Sequence, residues 1–384
     1  LFPEEAFASA VKGLNIWWNV VFPALLPFFI GSELLMGLGV VHFLGVLLEP
    51  LMRPLFNVPG VGSFVMAMGL ASGFPIGSIL SSRMRREGLC SKVEAERLMS
   101  FTNTADPLFM FGAVAVGMFG YPEIGITIAA IHYLSSISTG FFLRFYGRNQ
   151  ANTPEVRKHG HVLGRAANAL YDAKIKDGRP FGQLMGDAVR NSVNSLLLVG
   201  GFIILFSVVI RALTIVGVTG VMASAIYKIL GPLGMDVALM PAVISGIFEI
   251  DLGCELVGQA AATVPMLQKM MVVGGIIAWS GLSVHAQVAS IISDTDMKIT
   301  PFIFARAIQA VLAAVYAWLL MGPLAPVMAI GVPVFAHLQP DNGMTFLQRA
   351  THMSWLFILL SLGLLLFGVV INLYKGIKIT MFRR

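Results

Sequence analysis

Four short polar stretches interrupt an otherwise apolar sequence, and their side chains are suited to binding a small solute. Their hydroxyl, amide, imidazole and carboxyl groups donate and accept hydrogen bonds. The stretches read "ASGFPIG", "FTNTADPLF", "ISGIFEIDLG" and "WSGLSVHAQ". The candidate solute-binding residues in them are Ser72, Gly73, Thr102, Asn103, Asp106, Ser245, Gly246, Glu249, Ser280, Ser283, His285 and Gln287.

The stretch "TNTADP" predicts a break in a helix. Pro107 lacks an N–H and disfavours helical geometry at Asp106. Asn103 is neutral, so it can donate to a carboxylate without adding charge, and we expect it to contact solute or ion. A carboxylate at Asp106 repels a dianion, so it could instead bind a cation or a proton. The alternative for the whole stretch is a helix kink with local caps.

Glu249 and Asp251 are ionisable groups in an apolar segment, which marks them as functional candidates. Because they are two residues apart, they diverge on a helix. One can therefore cap the turn while the other lines a cavity, and we favour Glu249 as the cavity residue. Burial favours the neutral form of an acid, so either acid could carry a coupling proton.

The other polar groups favour packing or binding over catalysis. Ser283 and His285 are two residues apart and point away from each other on a helix, with no evident acid to orient them. Polar packing between helices is the alternative to solute binding for this stretch. The "HGH" run at 159–161 lies in a basic loop, where solvation is favoured over metal binding. We therefore predict no enzyme, no cofactor and no metal site.

Composition identifies a polytopic membrane protein. Hydrophobic residues make up 57% of the 384 residues and charged ones 12%, against about 25% in soluble domains. The net charge of +6 then indicates basic cytoplasmic loops, and not nucleic-acid binding. Cys90 and Cys254 lack metal spacing and are predicted to be free thiols. Because the sequence starts at Leu1, without a cleavable signal pattern, we expect further residues to precede it.

Spanning helices need about 20 mostly apolar residues. The segment 216–231 is shorter and is predicted to be an interfacial helix. The predicted apolar segments are 16–48, 60–82, 95–119, 122–146, 190–213, 236–260, 268–293, 299–322 and 352–374.

The distribution of Lys and Arg predicts which segments do not cross. The basic segments 83–97 and 147–189 are separated by two crossings, so they share a side, and the positive-inside rule places them with the basic tail in the cytoplasm. Five further apolar segments before the tail would put it outside. One of them must therefore be a re-entrant hairpin, and we assign 236–260. By analogy 60–82 is a second hairpin, and each is expected to turn at its Ser-Gly pair.

The order of these features repeats, which predicts two inverted repeats. Three crossings in the first half would turn the second half upside down, as in secondary transporters. Half-helix N-termini at the breaks are then expected to attract an anionic solute. The predicted parts are a first repeat at 13–146, a basic linker at 147–189, a second repeat at 190–322, and an outer loop, helix and tail at 323–384.

Two runs carry a family resemblance. "GLGVVHFLGVLLEPLMRPLFNVPGVGSFVMAMGLASGFPIGS" and "LMSFTNTADPLFMFGAVAVGMFG" closely resemble sporulation integral membrane proteins with the nucleoside-recognition, or gate, domain. The resemblance covers nearly the whole chain. It implies an all-α fold similar to concentrative nucleoside transporters, with a re-entrant hairpin and an interrupted helix in each repeat. It also implies export of dipicolinate from the mother cell across the outer forespore membrane.

From the residues alone, the sequence indicates a secondary transporter with two hairpins. The alternatives are a transporter of nucleosides or other metabolites, and a non-transporting gate or structural subunit of a membrane complex. The expected partners are the lipid bilayer and a small organic anion. A coupling proton or cation and a homo-oligomer stay open.

Overall fold

The computed structural model describes residues 2–150, 152–153 and 162–323, and all regular elements in them are helices. The prediction of an all-α membrane protein is therefore confirmed. The predicted span 352–374 and the "HGH" run lie outside the described residues. The helices are α1 (Pro3–Ile16), α2 (Phe22–Gly37), α3 (Val40–Leu51), α4 (Gly62–Ser72), α5 (Ile76–Arg86), α6 (Lys92–Thr102), α7 (Ile124–Leu143), α8 (Val162–Asp177), α9 (Phe181–Ile215), α10 (Val218–Leu230), α11 (Met240–Phe248), α12 (Ile250–Gly258), α13 (Met266–Trp279), α14 (Gly281–Ile292) and α15 (Thr300–Met321).

Four helical stretches in the described part of the chain are long and apolar enough to cross a membrane. They are α7, α9, the α13–α14 stretch and α15, and α1 with α2 forms a bent fifth candidate. The prediction of one span over 16–48 is wrong. Gly39 takes a left-handed conformation (φ +81°) after α2, and the chain turns there into the separate helix α3.

Many of the basic residues lie at one end of the helical body. The Arg97 Nε donates to the carbonyl of Tyr146 at 2.9 Å, and the Arg85 Nε donates to Asp296 at 2.8 Å. Ser91 and Glu94 also contact Thr153 near the start of the 147–189 linker, while the shared cytoplasmic side of the two segments stays a prediction. We use the name basic end for the region formed by residues 83–97, 144–150, 152–153 and 294–298.

Two short helical hairpins are present where they were predicted. Each helix of the α4–α5 pair has 11 residues, and each helix of the α11–α12 pair has nine. At about 1.5 Å per residue such helices reach only about half of a ~30 Å hydrocarbon core. The α4–α5 pair returns to the basic end at Arg85. The α11–α12 pair instead returns to the opposite end, where Gly258 packs against the Met118 carbonyl.

Two further helices are interrupted in their middle. The helix α6 starts with a capping box between Ser91 and Glu94 and ends at Thr102; helical structure resumes at Pro107 and continues as a π-helical segment to Met118. The α13–α14 stretch is interrupted at Ser280. The predicted interfacial helix corresponds to α10, which has no buried residue. Cys90 and Cys254 are buried and unpaired, as expected.

Candidate functional site

The first hairpin turns at Gly73, as predicted. Its backbone has a positive φ (φ +72°, ψ −163°), which favours glycine, and a Cβ there would lie 2.5 Å from Asp106 Oδ2. Gly69 and Gly77 on the two legs approach the backbone at the end of α6. A Cβ would lie 2.0 Å from the Thr102 oxygen at Gly69 and 2.5 Å at Gly77. The hairpin therefore fits against the break only because these three positions lack side chains.

The first break presents Asp106 as a helix cap. Its Oδ1 accepts the N–H groups of Leu108 and Phe109, both at 2.9 Å. Asn103 lies deeper: its Oδ1 accepts the N–H of Ser78 at 3.3 Å, and its carbonyl accepts from Arg306 at 3.0 Å. Asn103 thus joins the hairpin to the break.

The second hairpin turns at Glu249, and the prediction of a turn at Ser245–Gly246 is wrong. Both of those residues are buried within α11. Glu249 has an extended backbone (φ −147°, ψ 129°), and its Oε2 accepts the N–H groups of Asp251 at 2.7 Å and Leu252 at 3.1 Å. A carboxylate that caps α12 makes the sharp turn possible without glycine.

The second break is shorter than the first. Ser280 and Gly281 both have left-handed backbones (φ +68° and +71°). A Cβ on Gly281 would lie 3.1 Å from the Glu249 Cα, so the second hairpin tip lies against this break. The ring centroids of His285 and Trp279 lie 4.4 Å apart, and the His285 Nδ1 is 2.7 Å from the Gly281 carbonyl oxygen. Ser283 Oγ lies 3.5 Å from Glu249 Oε1, at the limit of a hydrogen bond.

A cavity that is partly open to solvent, with about 580 Å³ of empty space including that open part, lies between the first break, the two hairpin tips, α2, α9 and α14. Three carboxylates and four phenylalanines line it, and none of its lining residues is Lys, Arg or His. Among the described residues, no three acidic, His or Cys side chains are arranged to hold a metal ion. The lining residues are Leu25, Phe29, Phe74, Ala105, Asp106, Phe109, Val199, Phe202, Glu249, Ile250, Asp251, Ser283, Val284 and Gln287.

Two of the helix N-termini that were expected to attract an anion are already capped by carboxylates. The half-helix that follows the first break is capped by Asp106, and α12 is capped by Glu249. Their carboxylates already occupy the N–H groups that a solute would need. That expectation is therefore wrong for these two termini.

Four of the twelve candidate residues line the cavity: Asp106, Glu249, Ser283 and Gln287. Of the other eight, four belong to the first hairpin and the first break, two lie within α11, and two lie at or just after the second break. Sequence reasoning missed the phenylalanine lining, Gly69 and Gly77. The spacing of Gly69, Gly73 and Gly77 at every fourth residue is a signal of close helix packing that could have identified them. The candidates that do not line the cavity are Ser72, Gly73, Thr102, Asn103, Ser245, Gly246, Ser280 and His285.

Comparison with known proteins identifies clear sequence relatives. The family model Gate, described as nucleoside recognition, matches residues 18–146. Sporulation integral membrane protein YlbJ of Bacillus subtilis is 49% identical over 330 residues, which cover 84% of this chain and 79% of the relative. Among solved structures, a doubly substituted CNTnw in an outward-facing state shares 12% identity with a TM-score of 0.40, over 81% of this chain and 83% of that one.

Proposed function

Because the chain belongs to the family of the sporulation integral membrane protein YlbJ, we propose that it is a membrane transporter of a small organic acid. The observation that carries the proposal is the cavity bounded by a broken helix and a hairpin tip. Backbone of this irregular kind is tolerated at membrane depth only where protein buries it or where it lines a water-filled cavity. The family resemblance selects dipicolinate as the first solute to test, and the outer forespore membrane as the location.

The proposed mechanism uses two inverted repeats. The first hairpin opens toward the basic end, and the second opens toward the opposite end. Movement of one hairpin would expose the cavity to one side, and movement of the other would expose it to the other side. This is the alternating access that inverted repeats support in secondary transporters.

The charge of the cavity requires a positive partner for an anionic solute. Two like unit charges 4 Å apart repel by about 4 kcal/mol at an effective dielectric constant of 20. Asp106, Glu249 and Asp251 would all repel a dicarboxylate unless a proton or a cation accompanies it. A protonated acid can donate a hydrogen bond to the solute, whereas an ionised one can only accept. We therefore propose coupling to a proton or a cation.

Purified protein in liposomes tests the proposal directly. We expect labelled dipicolinate to enter protein-containing vesicles faster than protein-free vesicles, and a proton or cation gradient to change the rate. Vesicles that contain the Gly69→Ala variant provide an inactive-protein control, because its Cβ would clash with the Thr102 carbonyl. Uptake no faster than in protein-free vesicles, with correctly folded protein, would contradict a transport function for this solute.

A nucleoside is the second candidate solute, and the composition of the cavity favours it. Carboxylates can accept hydrogen bonds from ribose hydroxyls and base amino groups, and four aromatic rings can contact a base. Nucleoside transport unaffected by dipicolinate would replace the first candidate with the second. If neither solute moves, a gate or structural subunit of a larger membrane complex becomes the leading hypothesis.

A further inference from the structure

The helix α15 places a fully buried arginine next to the first break. Arg306 has no exposed surface; its Nη1 donates to the Asn103 carbonyl at 3.0 Å, and its Nη2 donates to the Ser100 carbonyl. In the part of the chain that the structure describes, no carboxylate forms an ion pair with it. Its charge is therefore compensated mainly by backbone carbonyls at the C-terminal end of α6.

These two carbonyls depend on Arg306, whereas their neighbours do not. A helix that ends in a buried position must find donors for its last carbonyls. The other carbonyls of this turn have separate donors: Met99 accepts from the N–H of Asn103 at 3.3 Å, Phe101 from the Ser136 hydroxyl at 2.7 Å and Thr102 from the N–H of Thr104 at 3.0 Å.

We propose that Arg306 is a positioning residue of the solute site. By fixing the end of α6 it sets the path of residues 103–106, and so directs Asp106 toward the cavity that it lines. The C-terminus of a helix carries a partial negative charge of about half an elementary charge. Arg306 neutralises this end beside a cavity that already contains three carboxylates, so it also lowers the barrier to an anionic solute.

The consequence for solute rests on the proposed transport function, but the positioning role does not. Hydrogen exchange of the backbone amides of 103–106, measured by mass spectrometry on the full-length protein in detergent, therefore tests it separately. The test variants are Arg306→Met, which removes both donors, and Arg306→Lys, which keeps the charge with a single ammonium group. Gln309→Met is the matched control, because Gln309 is equally buried one turn away and makes only a 3.5 Å contact with the His132 carbonyl.

We expect exchange over 103–106 to be about tenfold faster in Arg306→Met, since two buried carbonyls lose their donors. Arg306→Lys should lie between this variant and the wild type, while Gln309→Met should stay within about twofold of the wild type. Exchange in α13 should not change in any variant. Wild-type exchange over 103–106 in Arg306→Met, or an equal increase in Gln309→Met, would overturn the proposal.

The transport assay separates positioning from a general loss of fold. In liposomes we expect Arg306→Lys to raise the KM for the solute about tenfold while Vmax stays within about twofold, because a misdirected Asp106 weakens binding. If Arg306→Met does not fold, Arg306→Lys decides: faster exchange over 103–106 supports the proposal, and wild-type exchange overturns it. If even the wild type moves no solute, the proposed function fails, but the exchange result still decides the role of Arg306.

Discussion

In each half of the molecule a hairpin tip packs against an interrupted helix, but the residue types at these two positions are exchanged between the halves. In the first half the hairpin tip is a glycine, Gly73, and the acid, Asp106, is on the interrupted helix. In the second half the acid, Glu249, is at the hairpin tip, and the glycine, Gly281, is on the interrupted helix. In both halves the carboxylate caps a half-helix and the glycine allows the close approach. The two halves therefore share a carboxylate that caps a helix and a glycine that allows close packing, although these two residue types occupy exchanged positions.

The two breaks also differ in how their backbone is satisfied. The first break leaves residues 103–106 outside a helix, and the side chains of Arg306 and His132 bind its backbone. The second break is a local turn at Ser280, where His285 contacts the rings of Trp279 and Phe302 and its Nδ1 lies 2.7 Å from the Gly281 carbonyl. A long break exposes several backbone groups that need partners, whereas a short one exposes fewer. We infer that replacing a polar residue lowers the stability of the first half more than that of the second.

The largest effect is expected for Gly69→Ala in the first hairpin. Its Cβ would lie 2.0 Å from the Thr102 carbonyl oxygen, and rigid backbone on both sides cannot move away cheaply. We expect a loss of stability of about 3 kcal/mol and loss of transport. In Gly246→Ala of the second hairpin, the nearest atom is the Ile276 Cγ1 at 2.5 Å, a side-chain atom that can shift, so about 1 kcal/mol is expected.

Thermal unfolding in detergent measures both losses. Gly201→Ala in α9 is the control, because no atom lies within 4 Å of its Cβ position. If Gly246→Ala lowers the thermal stability more than Gly69→Ala does, the first hairpin is not held by close contact between backbones.

The two caps are expected to give the next largest effect. In Glu249→Ala two buried N–H groups lose their acceptor, which should cost about 2 kcal/mol, and Asp106→Ala should behave similarly. Glu249→Gln and Asp106→Asn retain a carbonyl oxygen, so their stability should change by less than about 1 kcal/mol. If Glu249 carries the coupling proton, Glu249→Gln alone should flatten the pH dependence of uptake. A wild-type pH profile in Glu249→Gln leaves it a cap without a coupling role.

The exchange of roles between halves explains which parts the sequence could predict. Pro107 forbids regular helix before it, and Gly73 before Phe-Pro marks a turn, so the first half could be predicted from local chemistry. The Ser-Gly pairs predict the same turn at Ser72–Gly73 and at Ser245–Gly246, but Ser245 and Gly246 lie inside α11. Glu249 followed by Asp251 carries the real signal, since an acid that precedes an apolar helix is a typical N-cap.

The sequence pattern could not predict which residues line the cavity. Phe29 on α2 and Phe202 on α9 are far apart in the chain and resemble lipid-facing residues in any hydropathy profile. Arg306 lies in an apolar helix, and its role depends on carbonyls about 200 residues earlier in the chain. Such contacts depend on how the helices pack, which neither spacing nor charge count determines.

A smaller effect is expected for Asn103→Ala, which tests whether the first break binds solute or the hairpin. The side chain accepts from the Ser78 N–H at 3.3 Å and does not line the cavity. We therefore expect a loss of stability of about 1 kcal/mol, with a change of less than about threefold in the KM for solute. A rise in KM of about tenfold or more without loss of stability would instead restore Asn103 as a direct solute contact.

The smallest effect is expected at the basic end, where an ion pair joins the first hairpin to the loop after α14. Arg85 donates to both oxygens of Asp296, at 2.8 and 2.9 Å, and this hydrogen bonding lowers the pKa of Asp296 below its ordinary value of 3.8. The pair therefore stabilises the protein above that value, and the contribution is lost as the pH falls through the lowered pKa. Because both side chains are partly exposed, we expect a coupling of less than about 1 kcal/mol. A double-mutant cycle of Arg85→Ala and Asp296→Ala, measured at neutral and at acid pH, gives this energy. A coupling that is the same at both pH values would mean that it does not depend on the charge of Asp296, and a coupling near zero at neutral pH would mean that the ion pair does not hold the first hairpin in place.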